Sequence, residues 1–264
     1  MGIVIVYGTR PEAIKLGPVV AELRSLGITP QLISTGQHWD LLRGTPAETD
    51  LKDSISLGLP SKSDPQRWVS LAVPAIRSVL GEATVVAVQG DTSSALAGAR
   101  AAHDLGIPLA HIEAGIRSGN LDEPWPEEGF RREITQLATW HYAPTSTCFA
   151  NLLAEGVPEN RIRLTGNPVV SALQRYANAK GQDPWPHIVL TMHRREWLQR
   201  VDMPLFLGEL AQACLDHPKL RVVWPAHPAA QAQWPRDWTI PPNLEIADPI
   251  PYASMISLLS RAHG

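Results

Sequence analysis

The stretch Val85–Glu133 reads VVAVQGDTSSALAGARAAHDLGIPLAHIEAGIRSGNLDEPWPEEGFRRE, and its reading decides the fold. Two apolar runs of strand length, Val85–Gln89 and Pro108–Ile112, flank an alanine-rich helical segment, Ser93–Leu105. Strand, helix and strand in that order predict parallel pairing through a right-handed crossover. The unit brings both carboxyl ends to one edge of a sheet, where α/β proteins bind ligands. Asp91 follows the first run, Glu113 ends the second, and Glu127 and Glu128 stand in a proline-bounded loop beyond. Several carboxylates thus converge on one crevice, which suits acid–base chemistry.

The same alternation extends in both directions. Ile3–Tyr7 is a β-branched run, and Pro11 opens a helical pattern carrying Ala13, Ile14, Leu16, Val19, Val20 and Leu23. Pro18 lies inside that pattern, where it is expected to kink the helix or limit its first turn. Thr29–Ser34 reads as the second strand, and Thr145–Glu155 as a helix capped by Thr145 or Ser146. Ala177–Pro186 is polar, with Gly181 and two prolines, and reads as a linker. Beyond it the alternation restarts: strands at His187–Thr191, Arg221–Trp224 and Leu244–Ile246, helices at Met203–Asp216 and Tyr252–Arg261. The expected organisation is α/β, with two doubly wound Rossmann-like domains, residues 1–176 and 187–264. The second is expected to be incomplete, because residues 187–264 fall short of the roughly 100–150 usual for a domain.

Composition narrows the class. The chain has 264 residues, 44% hydrophobic and 19% charged, with a formal net charge of −3. That charge argues against a nucleic-acid partner. No apolar run reaches the roughly 18 residues of a membrane span, and the start MGIVIVYGTRPE lacks the basic region and cleavage site of a signal peptide. Cys148 and Cys214 lie far apart, without the paired spacing of a zinc site, and fit a reduced, cytoplasmic setting.

Five polar motifs follow predicted strands directly: Gly8–Glu12, Gln89–Thr92, Glu113–Gly115, His193–Glu196 and Pro225–His227. Arg10 sits at a glycine turn leading into a helix, where free backbone N–H groups and a guanidinium suit a phosphate, and Lys15 lies one turn on. Arg10 could instead pair with Glu12. Asp91 is placed either for chemistry or to cap the helix that follows. Glu113 ends a buried strand, so it is partly desolvated, or it pairs with Arg117. Glu127 and Glu128 could begin a helix, with Arg131 and Arg132 as partners. His193, Arg194 and Arg195 form a basic cluster for phosphate or proton handling, and His227 is divided between packing and ligand contact. Trp39, Trp125 and Trp197 adjoin motifs and are read as cleft-lining; the other tryptophans read as packing.

GTRPEAIKLGPVV, STGQHWDLL, VQGDTSSALAGA, HIEAGIRSGNLDEPWPEE, RIRLTGNPVVSAL and TMHRRE occur in this order. Together they resemble the non-hydrolysing UDP-N-acetylglucosamine 2-epimerases over essentially the whole chain. The resemblance implies a glycosyltransferase-B-like fold and interconversion of UDP-N-acetylglucosamine and UDP-N-acetylmannosamine. UDP would be eliminated to give 2-acetamidoglucal, then added back with C2 inverted. The resemblance implies no metal and no other cofactor. It assigns Asp91, Glu113, Glu127 and His193 to catalysis, Arg10, Lys15, Arg194 and His227 to the substrate, and Gln37 to an allosteric site. A UDP-sugar substrate, a homodimer and a cytoplasmic location are expected, with no membrane partner. Two departures are Phe130 and Trp197, each at a position where the family pattern has asparagine. The family's later Ser-Gly-Gly and Gln-Glu-Glu segment is not in the sequence, so weak or absent turnover is expected of these 264 residues alone. The other readings are an inactive sugar-nucleotide-binding remnant and a glycosyltransferase of the same architecture.

Overall fold

The structure, a computed structural model, describes residues 2–36, 46–60, 64–176, 187–192, 200–248 and 250–263. The chain divides into two compact units, Met1–Leu173 and Gln174–Gly264. The expected linker, 177–186, lies outside the described residues.

The first unit is built on seven strands: β1 (Ile3–Tyr7), β2 (Gln31–Ser34), β3 (Ile55–Ser56), β4 (Val85–Gln89), β5 (Leu109–Ile112), β6 (Trp140–Ala143) and β7 (Ile162–Leu164). Their spatial order is β3-β2-β1-β4-β5-β6-β7, and every pairing is parallel. The order reverses between β1 and β4, which makes the carboxyl ends of these two strands the topological switch point. The helices are α1 (Arg10–Ser25), α2 (Pro46–Asp50), α3 (Pro65–Arg77), α4 (Ser93–Asp104), α5 (Glu127–Leu137), α6 (Ser146–Ala154) and α7 (Pro168–Tyr176). α1 runs through Pro18 without a break.

Central strands buried on both faces should be continuously apolar; β1 is, and β4 is up to its last residue, Gln89. On one face Val4, Val6, Val86 and Val88 join α3 and α4 in a core that includes Trp68, Ile76 and Leu96. α4 lies close to the sheet because its inner residues are small: Ala95, Ala99 and Ala102 are fully buried. A Cβ on Gly98 would stand 2.9 Å from Val88 and 3.1 Å from Val6, so only glycine permits this approach. On the other face Ile5, Tyr7 and Leu32 pack against Ala13, Leu16 and Val20 of α1. The short strands β3, β6 and β7, of two to four residues, have too few positions to show a clear period. Long-range pairing with a formed neighbour stabilises such segments more than their own propensity does.

The second unit has a parallel sheet in the order β10-β9-β8, from β8 (His187–Val189), β9 (Arg221–Pro225) and β10 (Leu244–Ala247). Its helices are α8 (Met203–Asp216), α9 (Pro228–Gln231) and α10 (Tyr252–Leu259). Fully buried Trp224 meets Phe206 edge-on, with ring centroids 5.9 Å apart, and Trp234 at 5.3 Å. These aromatic rings supply much of the apolar area of a small core. Trp125 is 61% exposed in the first unit, while Trp39 and Trp197 lie outside the described residues.

Candidate active site

The first turn of α1 shows how the local sequence shapes the switch point. Thr9 caps α1 and Glu12 closes the reciprocal capping box. Glu12 is buried; its Oε2 accepts from Gly8 N at 3.1 Å, Thr9 N at 2.7 Å and Thr9 Oγ1 at 2.7 Å. Its Oε1 accepts from Thr92 Oγ1 at 2.8 Å, which ties the turn after β1 to the turn after β4. Burial raises the Glu12 carboxyl above its usual range, against the hydrogen bonds from Thr9 and Thr92. The alternative of an Arg10–Glu12 pair therefore does not hold. Arg10 makes no ion pair with any described residue, and its guanidinium stands half-buried at the helix start. Gly8 is required for steric reasons: a Cβ there would lie 1.9 Å from Ser94 Oγ and 2.2 Å from Thr35 Oγ1.

Asp91 is not the cap of α4. Thr92 takes that role through Ala95 N at 3.0 Å. Asp91 Oδ2 instead accepts from Arg131 Nε at 2.7 Å and Nη2 at 2.5 Å, which leaves Oδ1 without a described partner. Glu113 pairs not with Arg117 but with Lys15, Nζ to Oε2 at 2.6 Å. Arg117 is committed to Glu155 at 2.6 Å. Glu113 is also the sole described non-glycine residue with positive φ, at 68°. A side chain held in that region costs about 1–3 kcal/mol and tends to mark a functional site. The next turn residue, Gly115, sits where a Cβ would be 2.3 Å from the Cys148 carbonyl oxygen.

Glu127 and Glu128 do open α5, and there they part company. Glu128 is fully buried and accepts from Ser118 N at 3.1 Å, Arg131 Nη1 at 3.2 Å and Arg132 Nε at 3.3 Å. Burial alone would raise its carboxyl; these donors outweigh burial and hold it below the usual carboxylate range. Glu127 pairs with no arginine among the described residues, and its Oε2 is buried with no hydrogen-bond partner. Phe130 packs into the core at 2% exposure, so this departure from the family pattern points away from the acids.

At the carboxyl edge of one sheet, Arg131 thus links Asp91 to Glu128 at the head of α5, and Lys15 of α1 is paired with Glu113. Two further residues join them that the sequence motifs did not single out as site residues: Gln89 and Asn167. Both donate to Glu113, Asn167 Nδ2 to Oε1 at 3.0 Å and the Gln89 side chain to Oε2. The available signal was position: Gln89 ends β4, and Asn167 directly precedes the proline that opens α7. His227, in the second unit, is exposed and caps α9, its Nδ1 accepting from Ala229 N at 3.1 Å. Gln37, His193 and Arg194 lie outside the described residues. Among the described residues no group of three histidine, cysteine or acidic side chains could hold a metal ion, and no helix is long and apolar enough to cross a membrane.

A parallel doubly wound sheet with cations and carboxylates at its switch point defines a Rossmann-type ligand-binding protein. A family model described as UDP-N-acetylglucosamine 2-epimerase matches residues 21–264. A probable UDP-N-acetylglucosamine 2-epimerase of Ralstonia solanacearum is 33% identical, over 99% of this chain and 75% of its own length. The UDP-N-acetylglucosamine 2-epimerase of Neisseria meningitidis serogroup A is 32% identical, over 100% of this chain and 76% of its own. The crystal structure of a Neisseria meningitidis UDP-GlcNAc 2-epimerase bound to UDP-GlcNAc superposes with a TM-score of 0.82 at 30% identity, covering 100% of this chain and 76% of that one. The chain belongs to the UDP-N-acetylglucosamine 2-epimerase family.

Proposed function

We propose that the protein interconverts UDP-N-acetylglucosamine and UDP-N-acetylmannosamine by eliminating UDP and adding it back with inversion at C2. The observation that carries this reading is the buried, unpartnered Oε2 of Glu127 at the same sheet edge as Asp91 and Glu113. A base needs a free lone pair, and among the three acids Glu127 keeps one out of water. As the C1–O bond breaks, positive charge grows at C1 and the C2 proton becomes acidic. A carboxylate takes that proton, and 2-acetamidoglucal and UDP result. Return of a proton to the opposite face of C2, with the UDP oxygen attacking C1, gives the epimer. Arg10 and Lys15 supply positive charge for the departing diphosphate. His193 is proposed to take part in catalysis, Arg194 and His227 to bind the substrate, and Gln37 to serve an allosteric site. The balance of these steps requires no metal and no redox cofactor.

The test is proton exchange. Incubation with UDP-N-acetylglucosamine in deuterium oxide should place deuterium at C2 of both epimers. Epimer formation without label would sink an elimination through C2. The same assay measures whether residues 1–264 suffice for turnover. A homodimer belongs to the same proposal, supported by an open apolar groove of about 780 Å³ on the first unit, lined by residues including Ile5, Val19, Leu23 and Tyr142. Sedimentation at micromolar concentration tests it. A cytoplasmic location, supported by two free cysteines, is tested by cell fractionation.

A further inference from the structure

The grip on Glu113 is closer than one lysine can supply. An ammonium is a point charge on a flexible stem and does not fix the plane of a carboxylate. Here both carboxylate oxygens are engaged from separate elements: Oε2 by Lys15 of α1 and Gln89 of β4, Oε1 by Asn167 ahead of α7. The orientation of the Asn167 amide follows from its other bond. Its Oδ1 accepts from Val169 N at 3.0 Å, capping α7, so its Nδ2 is the end that faces Glu113. Gln89 is 2% exposed and sits opposite Ile112 in the β4–β5 register, one residue before Glu113. The backbone of Glu113 is held meanwhile at φ 68°.

Resting on the epimerase reading, we propose that Asn167 and Gln89 are positioning residues that fix the plane and direction of the Glu113 carboxylate. Glutamate has three rotatable side-chain bonds, and catalytic groups must be held to within about 0.5 Å. A carboxylate bonded from two sides keeps one orientation through the reaction; with Lys15 alone it can turn away. The clamp also occupies lone pairs that a base would use, which sets Glu113 apart from Glu127 in role.

Asn167→Asp separates positioning from helix capping. Aspartate keeps the acceptor that caps α7 but replaces the donor with a second carboxylate facing Glu113. Asn167→Asp and Asn167→Ala should each lower kcat about 100-fold, the scale of a 1 Å misplacement, with KM within about threefold. Asn167→Asp should keep the parental helix content by circular dichroism and a cooperative unfolding transition, because the α7 cap is retained. Gln89→Ala should follow the same kcat pattern, and Gln89→Glu should not restore it. If Asn167 serves only as a cap, Asn167→Asp keeps parental kcat, and the proposal is overturned. A double-mutant cycle in urea unfolding, Asn167→Ala with Glu113→Ala, reads the contact without any turnover. Non-additive effects support the clamp, and additive effects overturn it. Because weak or absent turnover is expected of residues 1–264 alone, a parent chain that forms no epimer leaves the decision on the clamp to the cycle.

Discussion

The turn after β5 and the head of α5 both present acids at one sheet edge, yet they treat them in opposite ways. At the first, Glu113 is surrounded by donors on both oxygens. At the second, two adjacent glutamates divide the work: Glu128 accepts from Arg131 and Arg132, and Glu127 is left with a buried oxygen that bonds to nothing. A carboxylate held by several donors is rigid and its lone pairs are occupied; one without partners is available to a proton. The side chain that organises this division is Arg131, which bonds both Glu128 and Asp91.

The comparison breaks most visibly at Glu128. Glu128→Gln removes the buried charge to which Ser118, Arg131 and Arg132 donate, while Arg131 keeps Asp91 and Arg132 reaches solvent, so the expected cost is about 1.5–3 kcal/mol, that of a hydrogen bond to a charged group. Urea unfolding should show that loss, and an unchanged midpoint would mean that the division of roles does not exist. One residue away, Glu127→Gln should leave the midpoint within about 0.5 kcal/mol. Its effect falls on kcat, about 100-fold or more for a lost general base. If the two substitutions exchange these effects, Glu127 is the structural acid and Glu128 the reactive one.

The smaller effects come from groups beneath the site. His111 Nε2 donates to Gly90 O at 2.8 Å, next to Asp91. Burial pushes His111 down to about 3 and His141 down to about 4. Both are neutral in the folded protein and titrate near 6.5 when unfolded, so the unfolded chain binds more protons between those values. Stability is therefore complete above pH 6.5 and falls as pH drops towards 4 and 3, by up to about 1.4 kcal/mol per pH unit for each histidine. Unfolding midpoints measured from pH 7 to pH 4 test this, and His141→Gln should reduce the slope. The smallest effect belongs to the second unit, where Arg221 and Glu245 form an exposed pair. Glu245→Gln should change stability by only about 0.2–1 kcal/mol, less in high salt, by the same unfolding measurement.

Much of this was legible in the chain. The doubly wound order followed from apolar runs alternating with helical patterns, and Thr9-x-x-Glu12 is a capping box in its spacing alone. Asp91, Glu113 and Arg10 stand out because each follows a strand end, Lys15 because it lies one turn on, and Glu127 because it stands in a proline-bounded loop. The partners were not legible. Asp91 as a cap, Glu113 with Arg117 and Glu12 with Arg10 all join residues close in sequence, and each gave way to a partner elsewhere.

By itself the sequence determined the elements and the edge on which the chemistry collects, because hydrophobic period, capping and turn preference act over a few residues. Only the tertiary structure decided which acid is clamped and which is free. Lys15 and Glu113 are 98 positions apart, and Glu113 and Asn167 are 54 apart. A carboxylate among several arginines and amides has competing partners of similar strength. The one that wins is set by distance and direction after the sheet has closed, and no local pattern encodes that.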